Sequence, residues 1–130
     1  MFATDFGRWV RHDLFGGRGA VQVSDLLGPR AAAPFEAVLA CELDPNGEVG
    51  EHHQAGAHEI VVTIEGRGRI TVDRDTTDVV AGTVVFVKLG SVLSIENVSS
   101  EAPLRYLIVK ASAPEGSPAG PSSAAPTRRP

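Results

Sequence analysis

Short apolar stretches separated by glycine, proline, asparagine and aspartate recur along the middle of the chain, and they predict β-strands. Residues 67–73 alternate polar positions with small or apolar ones, as in a strand with one face in water. Residues 104–110 are largely apolar on both faces, which is typical of a strand covered on both sides. The predicted strands cover residues 20–23, 35–43, 59–64, 68–72, 77–80, 84–88, 92–96 and 104–111.

The connections between these stretches have the residues that tight turns require. The sequence Asp44, Pro45, Asn46, Gly47 is a strong turn signal, because proline presets φ and Asn-Gly accepts positive φ. No amphipathic helix of useful length interrupts the strand pattern. Short strands joined by such turns predict an all-β, antiparallel sandwich or barrel, and the periodicity alone leaves several architectures open.

The two ends of the chain differ from this central domain, which we predict to cover residues 20–111. Residues 1–19 carry large apolar side chains at a spacing that permits a short helical turn or an extended arm. We expect this arm to cover a barrel flank or to cross to a second subunit. Residues 112–130 are rich in proline, alanine, serine and glycine and are predicted to be disordered.

Composition and charge narrow the classes of function. Twelve Lys and Arg against 16 Asp and Glu give a net charge of −4, which argues against generic nucleic-acid or anionic-membrane binding. Cys41 is the only cysteine, which excludes an intrachain disulfide and a thiolate zinc cluster, and its strand predicts a buried, inert thiol. The charged start of the chain and the lack of a long apolar run predict a cytoplasmic protein.

The main chemical signal is a cluster of histidines, His52, His53 and His58, beside Glu59. Imidazole and carboxylate groups at the mouth of a barrel can bind a divalent first-row metal. Because alternate residues of a strand share a face, His52 and Gln54 should point together and His53 the other way. For His53 and His58 a solvated loop is an equally good interpretation.

This stretch resembles the first motif of the cupins, in which His-x-His is followed by three or four residues, a Glu, six residues and a Gly. The second cupin motif is matched in part further along the chain. The matching positions are His52, Gln54, Glu59 and Gly66 in the first motif and Gly82, Gly90 and Asn97 in the second. The resemblance covers residues 35–111 and implies a double-stranded antiparallel β-barrel of the jelly-roll type. It also implies a homodimer and a ligand or metal pocket in the barrel mouth.

The departures from the motifs concern the metal ligands. Metal-binding cupins typically offer three histidines and one glutamate, whereas this chain has Gln54 at the second position and Leu93 at the fourth. The matched ligand set is therefore His52, Gln54 and Glu59, which favours a weak or absent divalent metal. His58 could replace a missing imidazole only by turning inward, against the strand alternation.

These residues predict a small-molecule-binding protein with a reduced or lost metal site and an unknown organic ligand. The expected pocket residues are His52, Gln54, Glu59, Leu93, Ile95 and Asn97. The alternative is a small metal-dependent or acid/base enzyme of the isomerase, cyclase or dioxygenase type, with Glu59 as the base and His52 as the acid or orienting group. A third interpretation is a structural assembly module.

Overall fold

The computed structural model describes residues 6–113, which form ten strands and two short 3-10 turns, at Leu14–Gly16 and Gly28–Arg30. The strands are β1 (Arg8–His12), β2 (Ala20–Asp25), β3 (Phe35–Leu43), β4 (Glu48–His53), β5 (His58–Glu65), β6 (Arg67–Val72), β7 (Asp75–Val80), β8 (Val84–Val87), β9 (Val92–Asn97) and β10 (Leu104–Ala111).

The strands form two antiparallel sheets that face each other as the walls of a barrel. The larger sheet has the order β1-β2-β3-β10-β5-β8, and the smaller one has the order β4-β9-β6-β7. Alternate residues of each strand point between the sheets, and they form one apolar core. The all-β prediction is confirmed, and the arrangement is a jelly-roll β-barrel.

All eight predicted strands are present, and the structure adds β1 and β4. Strand β1 has only five residues, with two adjacent apolar residues between basic ones, and β4 ends in polar residues, so neither had a clear strand signal. Strand β1 pairs antiparallel with β2 of its own chain, so this part of the predicted arm is an edge strand of the barrel. The predicted tail lies outside the described residues, apart from 112 and 113.

The fully buried side chains come from both sheets and include Leu43, Val61, Ile70, Val87 and Leu93. Burial of such aliphatic side chains provides the main driving force for closing the two sheets on each other. Within residues 6–113, no helix is long and apolar enough to cross a membrane.

Candidate functional site

The two sheets enclose a cavity of about 360 Å³ that opens at one end of the barrel. This volume lies toward the lower end of the range found for small-molecule sites. Most of its wall is aliphatic. The apolar wall residues are Val21, Val23, Leu39 and Ile108 from the larger sheet and Val49, Leu93 and Ile95 from the smaller sheet.

A β-bulge in β4 positions His52 at the cavity. Val49 pairs with Ile95 and His52 pairs with Leu93, so three steps along β4 match two steps along β9. The extra residue lets Val49 and His52 both face the cavity, which a regular strand would not allow. His52 Nδ1 lies 3.2 Å from the carbonyl oxygen of Gly50, and its ring is half-buried.

The polar end of the cavity is formed by Glu59 on β5 and Lys110 on β10. These residues are direct cross-strand neighbours, and both point inward. Lys110 Nζ lies 3.4 Å from Glu59 Oε2. Glu59 is only 3% exposed, and its second oxygen, Oε1, has no hydrogen-bond partner among the described residues. The cavity thus contains a buried carboxylate with one free acceptor atom beside an ammonium group.

Cys41 and Tyr106, which are also direct cross-strand neighbours, lie between this ion pair and the apolar wall. Their side chains interact with each other. Burial, reinforced by the negative charge of Glu59, raises the pKa of the Cys41 thiol to about 12. Burial also raises the pKa of the Tyr106 hydroxyl well above its ordinary value. Both groups therefore stay protonated at neutral pH, and the predicted buried, inert thiol agrees with this environment.

Gln54 and His53 complete the rim on the side of β4. Gln54 is buried, lines the cavity, and donates from Nε2 to the carbonyl oxygen of Ala57 at 3.3 Å. His53 is exposed and also reaches the cavity edge, whereas the strand alternation predicted that it would point away. The chain leaves the regular strand after His53, so the alternation does not extend to the rim.

The structure corrects two of the expected positions. His58 does not line the cavity; its Nδ1 accepts a hydrogen bond from the Leu89 backbone at 3.0 Å, and its ring lies near Phe86 on the outside of the barrel. As the strand alternation indicated, it cannot stand in for a missing imidazole here. Asn97 shares a face with Leu93 and Ile95 but lies beyond the cavity, at the closed end of the barrel.

The first part of the chain forms one side of the cavity mouth, which the sequence analysis did not assign to the site. Trp9, Arg11 and Leu14 line it together with Phe15, whose ring stacks on His52 with 4.1 Å between ring centroids and 11° between planes. The turn that carries Phe15 lies directly on β4. The approach is so close that a Cβ atom at Gly50 would collide with the Phe15 carbonyl oxygen. The large apolar side chains of the predicted arm, such as Trp9, Leu14 and Phe15, could have indicated that this segment covers a cavity.

Lys110 is the other functional residue that the sequence analysis missed. The alternation in β10 places Leu104, Tyr106, Ile108 and Lys110 on one face, so an inward-facing lysine at the end of an apolar row was visible in the pattern. Its partner is determined by the register of β10 on β5, which the sequence did not predict.

The donor set at the motif positions does not fit a first-row metal. Leu93 has no donor atom, and Gln54 offers only a neutral amide oxygen, which is a weaker ligand for these metals than imidazole. Lys110 places a positive charge beside the carboxylate that a cation would need. No three His, Cys, Asp or Glu side chains in the described part of the chain are grouped to hold a metal ion.

Comparison with known proteins agrees with this fold. The family model described as "Cupin domain" matches residues 39–110, more than half of the chain. The protein therefore belongs to the cupin family. A predicted oxalate decarboxylase from Thermotoga maritima superposes with a TM-score of 0.75 at 27% identity, covering 82% of this chain and 92% of that one. A Cupin 2 conserved barrel domain protein from Salinispora arenicola gives a TM-score of 0.62 at 26% identity, covering 72% and 76%.

One curated protein is also similar in sequence. A stretch of 88 residues, 68% of this chain, is 36% identical to a protein named glutamyl-tRNA reductase from Clavibacter michiganensis subsp. michiganensis. The match covers 19% of that protein, so this chain spans less than a fifth of its length.

Proposed function

We propose that this cupin binds a small organic molecule in the barrel cavity and that its metal site has been lost. The observation that carries the proposal is the combination of an aliphatic cavity of about 360 Å³ with a leucine at the fourth motif position and a lysine paired with the motif carboxylate. An apolar cavity with a few polar groups at one end is the usual form of a small-molecule site.

The test uses the intrinsic fluorescence of Trp9, which is the only tryptophan and lines the cavity. Methylcyclohexane is a suitable apolar probe, and we expect it to change the Trp9 emission in a saturable way. The Ile108→Phe variant fills the cavity and should abolish this response. Val80→Phe is the matched control, because Val80 is an exposed aliphatic residue on β7 that does not line the cavity. Equal binding by the two variants would contradict the proposal.

An enzyme of the acid/base type is the second candidate, and the unpartnered oxygen of Glu59 favours it, because a buried carboxylate with a free oxygen can accept a proton. The two candidates differ in the fate of the bound molecule. A binding protein returns its ligand unchanged after incubation, whereas an enzyme yields a product that disappears in the Glu59→Gln variant.

We further propose that two copies of the chain pair through the outer apolar face of the larger sheet. In this face two rows of apolar side chains cross β3, β10, β5 and β8. The residues of the outer apolar face are Ala40, Leu107, Val62 and Val84 in one row and Val38, Val109, Ile60 and Phe86 in the other. Phe86 is 58% exposed and Val84 is 61% exposed, which is unusual for large apolar residues on a soluble surface.

A second copy of the chain is the occupant that fits this face. Each copy carries a net charge of −4, so two copies repel each other over most of their surfaces. The outer apolar face has no charged residue in either row, and the ion pairs of Arg105 with Glu42 and Glu65 form its border. A twofold axis through the face would bury the same side chains of both copies.

Light scattering during size-exclusion chromatography tests this pairing. We expect a dimer for the natural chain and a monomer for Phe86→Glu. Val10→Glu is the control, because Val10 is 45% exposed on β1 and is separated from the outer apolar face by the polar residues Gln22 and Ser24 of β2. A monomeric natural chain, or a Phe86→Glu variant that remains dimeric, would show that this face does not pair.

A further inference from the structure

The least explained atom of the cavity is Glu59 Oε1. The carboxylate is 3% exposed, and no donor among residues 6–113 lies within hydrogen-bonding distance of this oxygen. Buried polar atoms in native proteins almost always have a partner, and each exception calls for a physical explanation. Because Glu59 lines a cavity large enough for an organic molecule, the missing partner can be a group of the ligand.

None of the protein donors around Glu59 makes a hydrogen bond to Oε1 in the described part of the chain. The Tyr106 side chain interacts with Cys41, and the Gln54 amide nitrogen donates to Ala57. Lys110 Nζ lies beside the other carboxylate oxygen, Oε2. Leu93 and Ile95 have no polar side-chain atoms, and the cavity residues Arg11, His52 and His53 make no hydrogen bond to Oε1. Oε1 is therefore available to accept a hydrogen bond from a bound molecule.

The charges at this end restrict the ligand group further. Glu59 would repel a carboxylate or phosphate, and Lys110 would repel an ammonium group, whereas the ion pair as a whole is neutral. An uncharged hydroxyl satisfies Oε1 without meeting either repulsion. A hydrogen bond between a neutral donor and a charged acceptor is also stronger than one between two neutral groups.

Building on the proposed function, we propose that the ligand is an uncharged, mainly apolar molecule whose hydroxyl group donates a hydrogen bond to Glu59 Oε1. The aliphatic wall holds the body of this molecule, and the Glu59–Lys110 pair selects its hydroxyl. Glu59 thus acts as a specificity-determining residue, with Lys110 as its counter-ion.

Three probes of similar shape test the inference on the intact protein through Trp9 fluorescence. Cyclohexanol has a hydroxyl donor, cyclohexyl methyl ether has an oxygen acceptor without a donor, and methylcyclohexane has no polar group. We expect cyclohexanol to bind about tenfold more tightly than either other probe, because only cyclohexanol can satisfy the buried carboxylate oxygen. An ether that binds as tightly as the alcohol would mean that Lys110 selects an acceptor instead, and it would overturn the inference.

The Glu59→Leu/Lys110→Met double variant removes both charges without leaving either one unpaired. In this variant we expect the preference for cyclohexanol to disappear while methylcyclohexane still binds. Thr63→Val is the matched control. Thr63 Oγ1 is also buried without a partner on β5, but Thr63 does not line the cavity, so the preference should persist in that variant.

The outcomes separate this inference from the proposed function. If all three probes bind the natural chain equally, the cavity is a ligand site but Glu59 does not select a hydroxyl, and the inference is wrong. If none of them changes the Trp9 fluorescence, the proposed function fails, and the inference fails with it. A preference for cyclohexanol that survives in the double variant would also contradict the role of Glu59.

Discussion

The closed end and the open end of the barrel each bury a polar side chain, and the two side chains have opposite surroundings. At the closed end Asn97 is 1% exposed, and its Nδ2 donates to the carbonyl oxygens of Leu43, Asp44 and Ala102. At the open end Glu59 has one oxygen without a partner in the described structure. Asn97 therefore has a structural role, because its hydrogen bonds connect three backbone segments. Glu59, in contrast, keeps an oxygen that can still accept a hydrogen bond.

The difference between Asn97 and Glu59 separates a structural motif position from a functional one. Both residues match positions of the same family pattern, and the sequence analysis placed both in the pocket. Residue type and spacing cannot show which of the two is structural and which is available to a ligand, since each is a polar side chain in an apolar strand. The list of hydrogen-bond partners separates them directly, because a fully satisfied group has nothing left to offer a ligand.

The largest effect on stability is expected when the side-chain amide of Asn97 is removed. Asn97→Leu has nearly the same size and leaves three backbone carbonyls without their shared donor. The substitution also removes Oδ1, which accepts a hydrogen bond from the Ser99 backbone N–H. We expect the free energy of unfolding to fall by about 3 kcal/mol, at about 1 kcal/mol for each of the two lost N–H donors and for the lost acceptor. Urea denaturation followed by Trp9 fluorescence measures this loss.

Ser94→Ala, on the outward face of the same strand, serves as the control and should change the stability by less than about 0.5 kcal/mol. The affinity of folded Asn97→Leu for cyclohexanol should equal that of the natural chain, because Asn97 does not line the cavity. A large loss of affinity with little loss of stability would return Asn97 to the binding site.

A smaller effect on stability is expected at the open end for Lys110→Met, which leaves the buried Glu59 carboxylate without its counter-ion. Breaking a fully buried ion pair costs about 3–5 kcal/mol. We expect about 2 kcal/mol here, because the Lys110 side chain is 35% exposed and its charge is screened by solvent. The measurement is the urea midpoint at neutral pH.

The Glu59→Leu/Lys110→Met double variant should recover most of this loss, since it removes both charges from the apolar surroundings. A double variant no more stable than Lys110→Met would mean that the loss in Lys110→Met does not come from an unpaired Glu59 charge.

Much of the fold could be predicted from the sequence because it depends on local patterns. Strands such as β6 and β10 showed alternation or apolar runs of sufficient length, and the turn at residues 44–47 contains residues that favour turns. The site was predicted less completely, because it depends on register. The Glu59–Lys110 pair follows from the alignment of β10 on β5, and the position of His52 follows from a bulge in β4. Neither the strand register nor the bulge can be recognised from the residue pattern of a single strand.

Alkaline pH gives a third prediction, which concerns the Cys41 thiol at the open end. The folded state raises the pKa of Cys41 from 9.0 to about 12, chiefly by burial. Above pH 9 the unfolded chain loses a proton that the folded chain keeps, so stability present at neutral pH falls as the pH rises toward 12. Between pH 8 and pH 10 we expect a loss of about 1 kcal/mol from this thiol.

Urea denaturation of the natural chain and of Cys41→Val over this pH range isolates the contribution of the thiol. The variant should show a smaller decrease in stability between pH 8 and pH 10. Identical pH profiles would mean that the thiol titrates with the same pKa in the folded and unfolded states, and that the environment of Cys41 is more polar than the buried cluster indicates.

The smallest effect concerns backbone strain, which also differs between the two ends. Asn46 has a φ of 59° near the closed end, and asparagine tolerates this left-handed conformation. Phe15 has a φ of 55° at the mouth, where a bulky residue is strained. Phe15→Ala and Phe15→Gly both lose the stack on His52, but only glycine also relieves the strain. We therefore expect the free energy of unfolding of Phe15→Gly to exceed that of Phe15→Ala by about 0.8 kcal/mol, as measured by urea denaturation.

Both Phe15 variants should weaken methylcyclohexane binding to the same extent, because each removes the same ring from the cavity wall. Equal stability of the two variants would show that the turn relaxes once the ring is gone, so that the ring itself holds the backbone in the left-handed conformation. The open end of the barrel would then hold both the strained Phe15, which stacks on His52, and the unpartnered oxygen of Glu59. At the closed end, by contrast, Asn97 is fully hydrogen-bonded.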